Sequence, residues 1–96
     1  MGEYRLTQRA DDDLLDLFVF GLQNFGDVQA QRYRTGLDRC FRLLADNPGL
    51  GRPAHRLAEG VRRHEFESHV ILYEEIPDGV LILALVHGRS VRGLAL

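Results

Sequence analysis

The residues of this chain best suited to chemistry lie in its last third, where basic, imidazole and carboxylate side chains occur close together. They are Arg62, Arg63 and Glu65, followed by His87 and Arg89. An imidazole or a carboxylate can transfer a proton near neutral pH, and a guanidinium can stabilise negative charge on a phosphate. These residue types are compatible with cleavage of a phosphodiester, or with ionic contacts to another macromolecule.

Several of these residues also have a purely structural interpretation. His87 follows an apolar run and could be a hydrogen-bonded residue at the end of a strand. Arg62 lies at the start of a predicted strand, where it could anchor a loop or the sheet. Arg89 could pair with a carboxylate of the same domain or lie at a partner surface. From the residues alone, these alternatives stay open.

Histidine and cysteine usage argues against a metal site and against a disulfide. The four histidines, at positions 55, 64, 69 and 87, have no compact ligand spacing, and Cys40 is the single cysteine. We therefore expect no metal and no cofactor, and a reducing cytoplasmic environment. Cys40 falls on the apolar face of a predicted helix, which places it in the core.

Charge is distributed unevenly along the 96 residues, which are enough for one domain. The net charge is −2, and all twelve basic residues are arginine. Residues 1–31 carry six acids and two arginines (net −4), 32–64 eight arginines and three acids (net +5), and 65–96 five acids and two arginines (net −3). The overall charge argues against tight binding of nucleic acid, whereas the basic middle segment predicts a contact with an acidic surface.

The first half of the chain predicts a short strand and two amphipathic helices. Residues 4–6 alternate like a strand, and Thr7 is suited to cap a helix that Gly26 ends. Asp27 is expected to cap a second helix over about residues 28–45, and the two helices should form an antiparallel hairpin. The apolar faces are Ala10, Leu14, Leu17, Phe18, Leu22 and Phe25 in the first helix, and Ala30, Tyr33, Leu37, Cys40, Phe41 and Leu44 in the second.

The second half predicts a loop followed by a three-stranded meander. Residues 46–60 contain two prolines and three glycines and are expected to lack long regular structure. Strands are predicted over 61–66, 70–75 and 80–86, and the last is apolar at every position, as in a strand covered on both faces. The predicted fold is α+β, a helical hairpin packed on a mostly antiparallel sheet.

Short motifs in this order resemble the RelE/ParE superfamily of toxins, and its ParE branch in particular. The resemblance covers nearly the whole chain. Each motif is weak evidence alone, and only the complete set in this order is specific. The matching motifs are Tyr4-Arg5-Leu6, Ala10, then Tyr33, Leu37 and Phe41, Asn47-Pro48, Gly51-Arg52-Pro53, Gly60-Val61-Arg62, then His69, Ile71 and Tyr73, and finally His87-Gly88-Arg89.

The resemblance implies a toxin of a type II toxin–antitoxin system that poisons DNA gyrase by protein–protein contact, without catalysis of its own. It also implies a ParD-like antitoxin that neutralises the toxin, forms a hetero-oligomer with it and binds operator DNA. Candidate contacts with the target are Arg62, His87, Arg89 and Arg92; candidate contacts with the antitoxin are Leu14, Phe18, Tyr33, Arg34 and Leu37.

Two alternatives to gyrase poisoning stay open. A RelE-type ribonuclease would cut mRNA in the ribosome, with His87, the arginines at 62, 63 and 89 and Glu65 as its acid–base and phosphate-binding groups. Against it stand the low isoelectric point, about 6.0, and the lack of any aromatic residue after Tyr73. An inactive toxin that only binds its antitoxin is the other alternative.

Overall fold

A helical hairpin packs on one face of a five-stranded sheet. The computed structural model describes residues 2–89. No helix within that range is long and apolar enough to cross a membrane. The elements are β1 (Glu3–Leu6), α1 (Gln8–Phe25), α2 (Asp27–Asp46), one 3₁₀ turn (Pro48–Leu50), β2 (Arg52–Pro53), β3 (Val61–Phe66), β4 (His69–Ile76) and β5 (Gly79–His87).

The sheet has the strand order β1-β5-β4-β3-β2, so the first and last strands of the chain are neighbours. β1 runs parallel to β5, with Glu3 opposite Gly79 and Leu6 opposite Ile82. The other neighbouring strands are antiparallel. This arrangement confirms the predicted α+β class, with a mostly antiparallel sheet.

The hairpin begins at a capped helix and turns at a glycine. The Thr7 hydroxyl accepts a hydrogen bond from the Ala10 amide, as predicted, and donates one to the Leu83 carbonyl. Gly26 alone separates α1 from α2, with φ 85° and ψ 174°. The predicted cap by Asp27 is wrong: Gly26 occupies the N-cap, and Asp27 is already the first residue of α2. A backbone conformation reserved for glycine makes this turn possible without a capping side chain.

The loop after α2 is held to the sheet by Tyr73. Its buried hydroxyl donates to the Pro48 carbonyl at 2.7 Å and accepts from the Gly51 amide at 2.8 Å. A Cβ on Gly51 would lie 2.5 Å from that hydroxyl oxygen, so the approach requires glycine. The short edge strand β2 in this loop, Arg52–Pro53, was not predicted, because a two-residue strand leaves no periodicity to detect.

The core lies between the hairpin and the face of the sheet that bears Tyr73. It contains apolar residues from both helices and from β4 and β5, and Cys40 is buried within it, as predicted. Positions of β5 on the face away from the helices, such as Leu81 and Leu83, are half-buried. The core cluster is Ala10, Leu14, Leu37, Cys40, Phe41, Leu44, Ala45, Ile71, Tyr73, Val80, Ile82 and Leu85.

A bulge in β5 connects the sheet to α1. Tyr73 lies opposite Ile82, whereas Leu72 lies opposite Ala84, so Leu83 is the extra residue. The Asp13 carboxylate accepts a hydrogen bond from the Leu85 amide at 3.0 Å and from Arg9. Asp13, in the acidic first part of α1, is therefore tied to the irregular part of the strand.

Candidate functional site: a cleft between the hairpin and the sheet

A cleft of about 710 Å³ opens where the helical hairpin diverges from one end of the sheet. α1 and α2 form its two walls, and its floor comes from the β3–β4 turn and the paired ends of β4 and β5. Apolar side chains dominate the walls, which also carry Asp13, Asp16, Gln29, Tyr33 and Arg34, and most of the floor residues are polar. A concave, largely apolar surface with a few polar groups is typical of a binding site.

All five predicted antitoxin contacts line this cleft. Phe18, Tyr33 and Arg34 retain exposed surface, and the Arg34 guanidinium lies 5.7 Å from the centre of the Phe18 ring. Leu14 and Leu37 are buried, at 8% and 1% exposure. These two leucines therefore belong to the inner wall, where they support the cleft, and offer a partner little surface of their own.

Two further aromatic residues of the cleft were missed as contacts. Phe20 is 56% exposed and Phe25 60% exposed, and their ring centres lie 6.2 Å apart in an edge-to-face arrangement. Phe20 falls outside the regular apolar stripe of α1, and an aromatic residue outside that stripe is the signal that could have identified it. Large exposed aromatic rings beside a cleft are favourable contacts for a partner.

Tyr33 of the α2 wall forms a polar cluster with His69 and His87 of the floor. The Tyr33 hydroxyl lies 2.6 Å from Nδ1 of His69, and the two imidazole rings are 5.3 Å apart. Burial, with a smaller contribution from Glu67, raises the pKa of Tyr33 to about 12. Burial, and then His87, lower the pKa of His69 below its usual value. The tyrosine is thus protonated at neutral pH, and His69 is neutral there.

The predicted target contacts are not all at this end of the sheet. His87 ends β5 and accepts a hydrogen bond at Nδ1 from the Arg89 amide, so these two residues lie together. Arg62 lies toward the other end of the sheet from His87. Its cross-strand partner is Tyr73, which in turn pairs with Ile82 of β5. As predicted, Arg62 anchors the loop, donating to the Gly51 carbonyl at 2.7 Å. Arg92 lies outside the described residues.

The acid–base set of the alternative ribonuclease is dispersed. Glu65 accepts hydrogen bonds from Arg52 and Arg63, at 2.7 and 2.6 Å. Burial opposes ionisation of Glu65, but the hydrogen bond from Arg63 and the neighbouring guanidinium charges lower its pKa. By strand alternation, this cluster faces away from the helices, whereas His87 faces the cleft. Among residues 2–89, no three histidine, cysteine or acidic side chains are placed to hold a metal ion.

Comparisons with known proteins agree with this architecture. Residues 4–92 match the family model of the ParE toxin of the type II toxin–antitoxin system parDE. Toxin ParE1 of Caulobacter vibrioides is 38% identical over 73 residues, which cover 76% of each protein. A solved structure described as the chromosomal ParDE TA system from P. aeruginosa matches with a TM-score of 0.76. It covers 91% of this chain and 96% of its own at 21% identity, a likeness that concerns the fold.

Proposed function

Since this chain belongs to the ParE toxin family of type II toxin–antitoxin systems, we propose that it arrests growth by binding DNA gyrase until a ParD-like antitoxin neutralises it. Both proteins act in the cytoplasm under this proposal. The antitoxin binds operator DNA, while this chain carries a net charge of −2 and makes protein contacts.

The cleft is the observation that carries the proposal for the antitoxin. Its walls expose Phe18, Phe20 and Phe25, and Arg34 adds a cation beside the Phe18 ring. An amphipathic segment would bury these rings, and each large apolar side chain transferred from water contributes about 1.5–3 kcal/mol. We therefore place the antitoxin's apolar side chains in this cleft.

For the target, we propose inhibition by contact, without catalysis. The groups that a ribonuclease would need are dispersed over two faces of the sheet, and Glu65 is engaged by two arginines. Proton transfer requires its donor and acceptor within hydrogen-bond distance of the reacting atoms. Arg89 is exposed at the end of the described chain, next to His87, and this corner is our candidate for the contact with gyrase.

A supercoiling assay tests the target. Purified gyrase, ATP and relaxed plasmid are mixed with the toxin after its separation from the antitoxin. We expect loss of supercoiling together with accumulated cleaved DNA, both reversed when the antitoxin is added back. Arg89→Ala should weaken the effect more than His87→Ala, because a guanidinium makes the stronger ionic contact.

A parallel reaction with programmed ribosomes separates the alternatives. Unchanged supercoiling together with mRNA cleavage, lost most completely in His87→Ala, would establish the ribonuclease instead. If neither assay responds while the antitoxin still binds, the chain is an inactive toxin.

A further inference from the structure

Two histidines from neighbouring strands lie side by side on the floor of the cleft. His69 opens β4 and His87 closes β5, and the two are directly opposite each other in the antiparallel register. Their ring centres are 5.3 Å apart, and both side chains line the cleft. Because one residue of each strand projects to the same side, the sheet itself fixes the separation of the two imidazoles.

The hydrogen bonds at Nδ1 determine what each ring offers to the cleft. The Arg89 amide donates to Nδ1 of His87 at 3.1 Å, so the proton of the neutral ring is on Nε2. Tyr33 keeps its proton, and its hydroxyl is 2.6 Å from Nδ1 of His69 but 3.4 Å from the Phe66 carbonyl. The hydroxyl has one proton. If it points to His69, Nδ1 accepts and Nε2 carries the ring proton; if it points to Phe66, the Nδ1–H of His69 donates to Tyr33. Protonated His69 carries an Nε2–H in either case.

His87, and His69 once it is protonated, each present an Nε2–H group, and within residues 2–89 neither Nε2 has a hydrogen-bond acceptor. A metal ion would need the lone pair of Nε2, which the proton occupies in this tautomer. Two neighbouring N–H donors suit a group with two acceptor oxygens. A carboxylate has that geometry, and an imidazole near a carboxylate gains a charge-assisted bond on protonation.

Within residues 2–89, no charged group around the histidine pair accepts a hydrogen bond from either Nε2, so a carboxylate of a partner could do so. Asp13 of α1 is already engaged by Arg9 and by the Leu85 amide. The other titratable or charged groups facing the cleft are Asp16 of α1, Tyr33 and Arg34 of α2 and Glu67 of the β3–β4 turn, and Arg89 follows His87 in the chain.

We propose that His69 and His87 together bind the side-chain carboxylate of an aspartate or glutamate in the antitoxin segment that occupies the cleft. The apolar walls hold the segment's apolar side chains, and the histidine pair fixes its register by accepting only an acidic group on the floor. This inference rests on the proposed antitoxin binding, which it deepens by naming the chemistry of the contact.

The proposal predicts a pH dependence with a definite sign. In the free chain, burial and then His87 lower the pKa of His69, so this ring is neutral at pH 7. A carboxylate bound to the pair raises the imidazole pKa in the complex above its value in the free chain. Binding therefore takes up a proton, and affinity increases as the pH falls from about 8 to 6.

A histidine NMR titration of the full chain with 3-phenylpropionate tests the donor pair directly. This probe joins an aromatic ring to a carboxylate, and 3-phenylpropanamide is the matched uncharged control. We expect the acid to shift the Nε2 resonances of His69 and His87 and to raise their pKa values. His55 and His64, which do not line the cleft, serve as internal controls. Equal shifts with the amide, or no response of the pair, would overturn the proposal.

Variants of the two histidines then test the contact in the antitoxin complex. His69→Gln removes the ring that takes up the proton but keeps an N–H donor, so the gain in affinity at pH 6 should be lost. His87→Leu should weaken binding about tenfold or more at both pH values. A complex with unchanged pH dependence in His69→Gln contradicts the proposal. A chain that responds to 3-phenylpropionate but never binds the antitoxin confirms the donor pair and refutes the proposed function.

Discussion

At the scale of single residues, Tyr73 joins three parts of the molecule. Its ring lies in the core with no exposed surface, and its hydroxyl bridges the Pro48 carbonyl and the Gly51 amide. Both loop groups depend on this hydroxyl for a hydrogen bond away from water. One side chain therefore fixes the path of the backbone between α2 and β2.

We expect Tyr73→Phe to lower the free energy of unfolding by about 2 kcal/mol, because the buried Gly51 amide loses its acceptor. Urea unfolding followed by circular dichroism measures the change. Tyr4→Phe is the control, since its hydroxyl donates to the half-exposed Asp38, whose lost bond water can replace. A loss no larger for Tyr73→Phe than for the control would contradict this role.

Predictions for single residues succeeded where the contact is made within one helix or where the residue type is usually buried. The Thr7 cap and the buried position of Cys40 follow from spacing within one helix. The roles of Asp13 and His69 could not be predicted in this way. Asp13 accepts a hydrogen bond from Leu85, and His69 contacts Tyr33. In each pair the two residues are far apart in the sequence and meet only in the folded protein.

At the scale of elements, the hairpin depends on one backbone conformation. Gly26 has φ 85° and ψ 174°, a region that residues with a Cβ rarely enter, and it forms the whole connection between α1 and α2. The angle between the two helices, and with it the width of the cleft, is set at this residue.

Gly26→Ala should lower the free energy of unfolding by about 1–3 kcal/mol through backbone strain alone. No atom lies within 4 Å of the position that its Cβ would take, so a steric clash makes no contribution. Gly49→Ala is the matched control, because its surroundings are equally open and its φ lies outside the left-handed region. Thermal unfolding of both variants measures the difference, and equal stabilities would contradict this explanation.

The long elements were predictable and the short or irregular ones were not. Repeated apolar spacing predicted both helices and all three meander strands to within a residue or two. β2 and the bulge at Leu83 left no such pattern, because both depend on pairing with a partner strand. The bulge matters for the site, since it gives Leu85 and His87 their orientation toward the cleft.

At the scale of the whole molecule, exposed apolar surface is concentrated on the hairpin. Leu15, Phe20, Phe25 and Val28 are each more than half exposed. The two phenylalanines line the cleft, so they are positioned to contribute to binding without being needed for the core.

Phe25→Ser should weaken antitoxin binding about 10- to 30-fold and leave stability nearly unchanged, because the ring is 60% exposed in the free chain. Leu43→Ser is the matched control: it removes a 48% exposed apolar side chain from α2 outside the cleft. Isothermal titration calorimetry of both variants with the antitoxin measures the two affinities. Similar affinities for the two would exclude the cleft wall as the binding surface.

The fold as a whole was predictable, whereas the cleft was only partly so. The hairpin and meander follow from local patterns, and family resemblance supplied the five wall residues. The floor brings together the β3–β4 turn and the ends of two strands, and its composition depends on the register between β4 and β5. A register is a relation between distant segments, which one sequence does not reveal.

The pairing of β1 with β5 also orders events during synthesis of the chain. Residues 3–6 leave the ribosome well before residues 79–82, which are their hydrogen-bonding partners. Translation that stops before residue 79 leaves β1 without a neighbour and the hairpin without β5 to pack against. We therefore expect a nonsense or frameshift mutation upstream of that point to prevent folding, and a chain still being translated to lack a completed cleft.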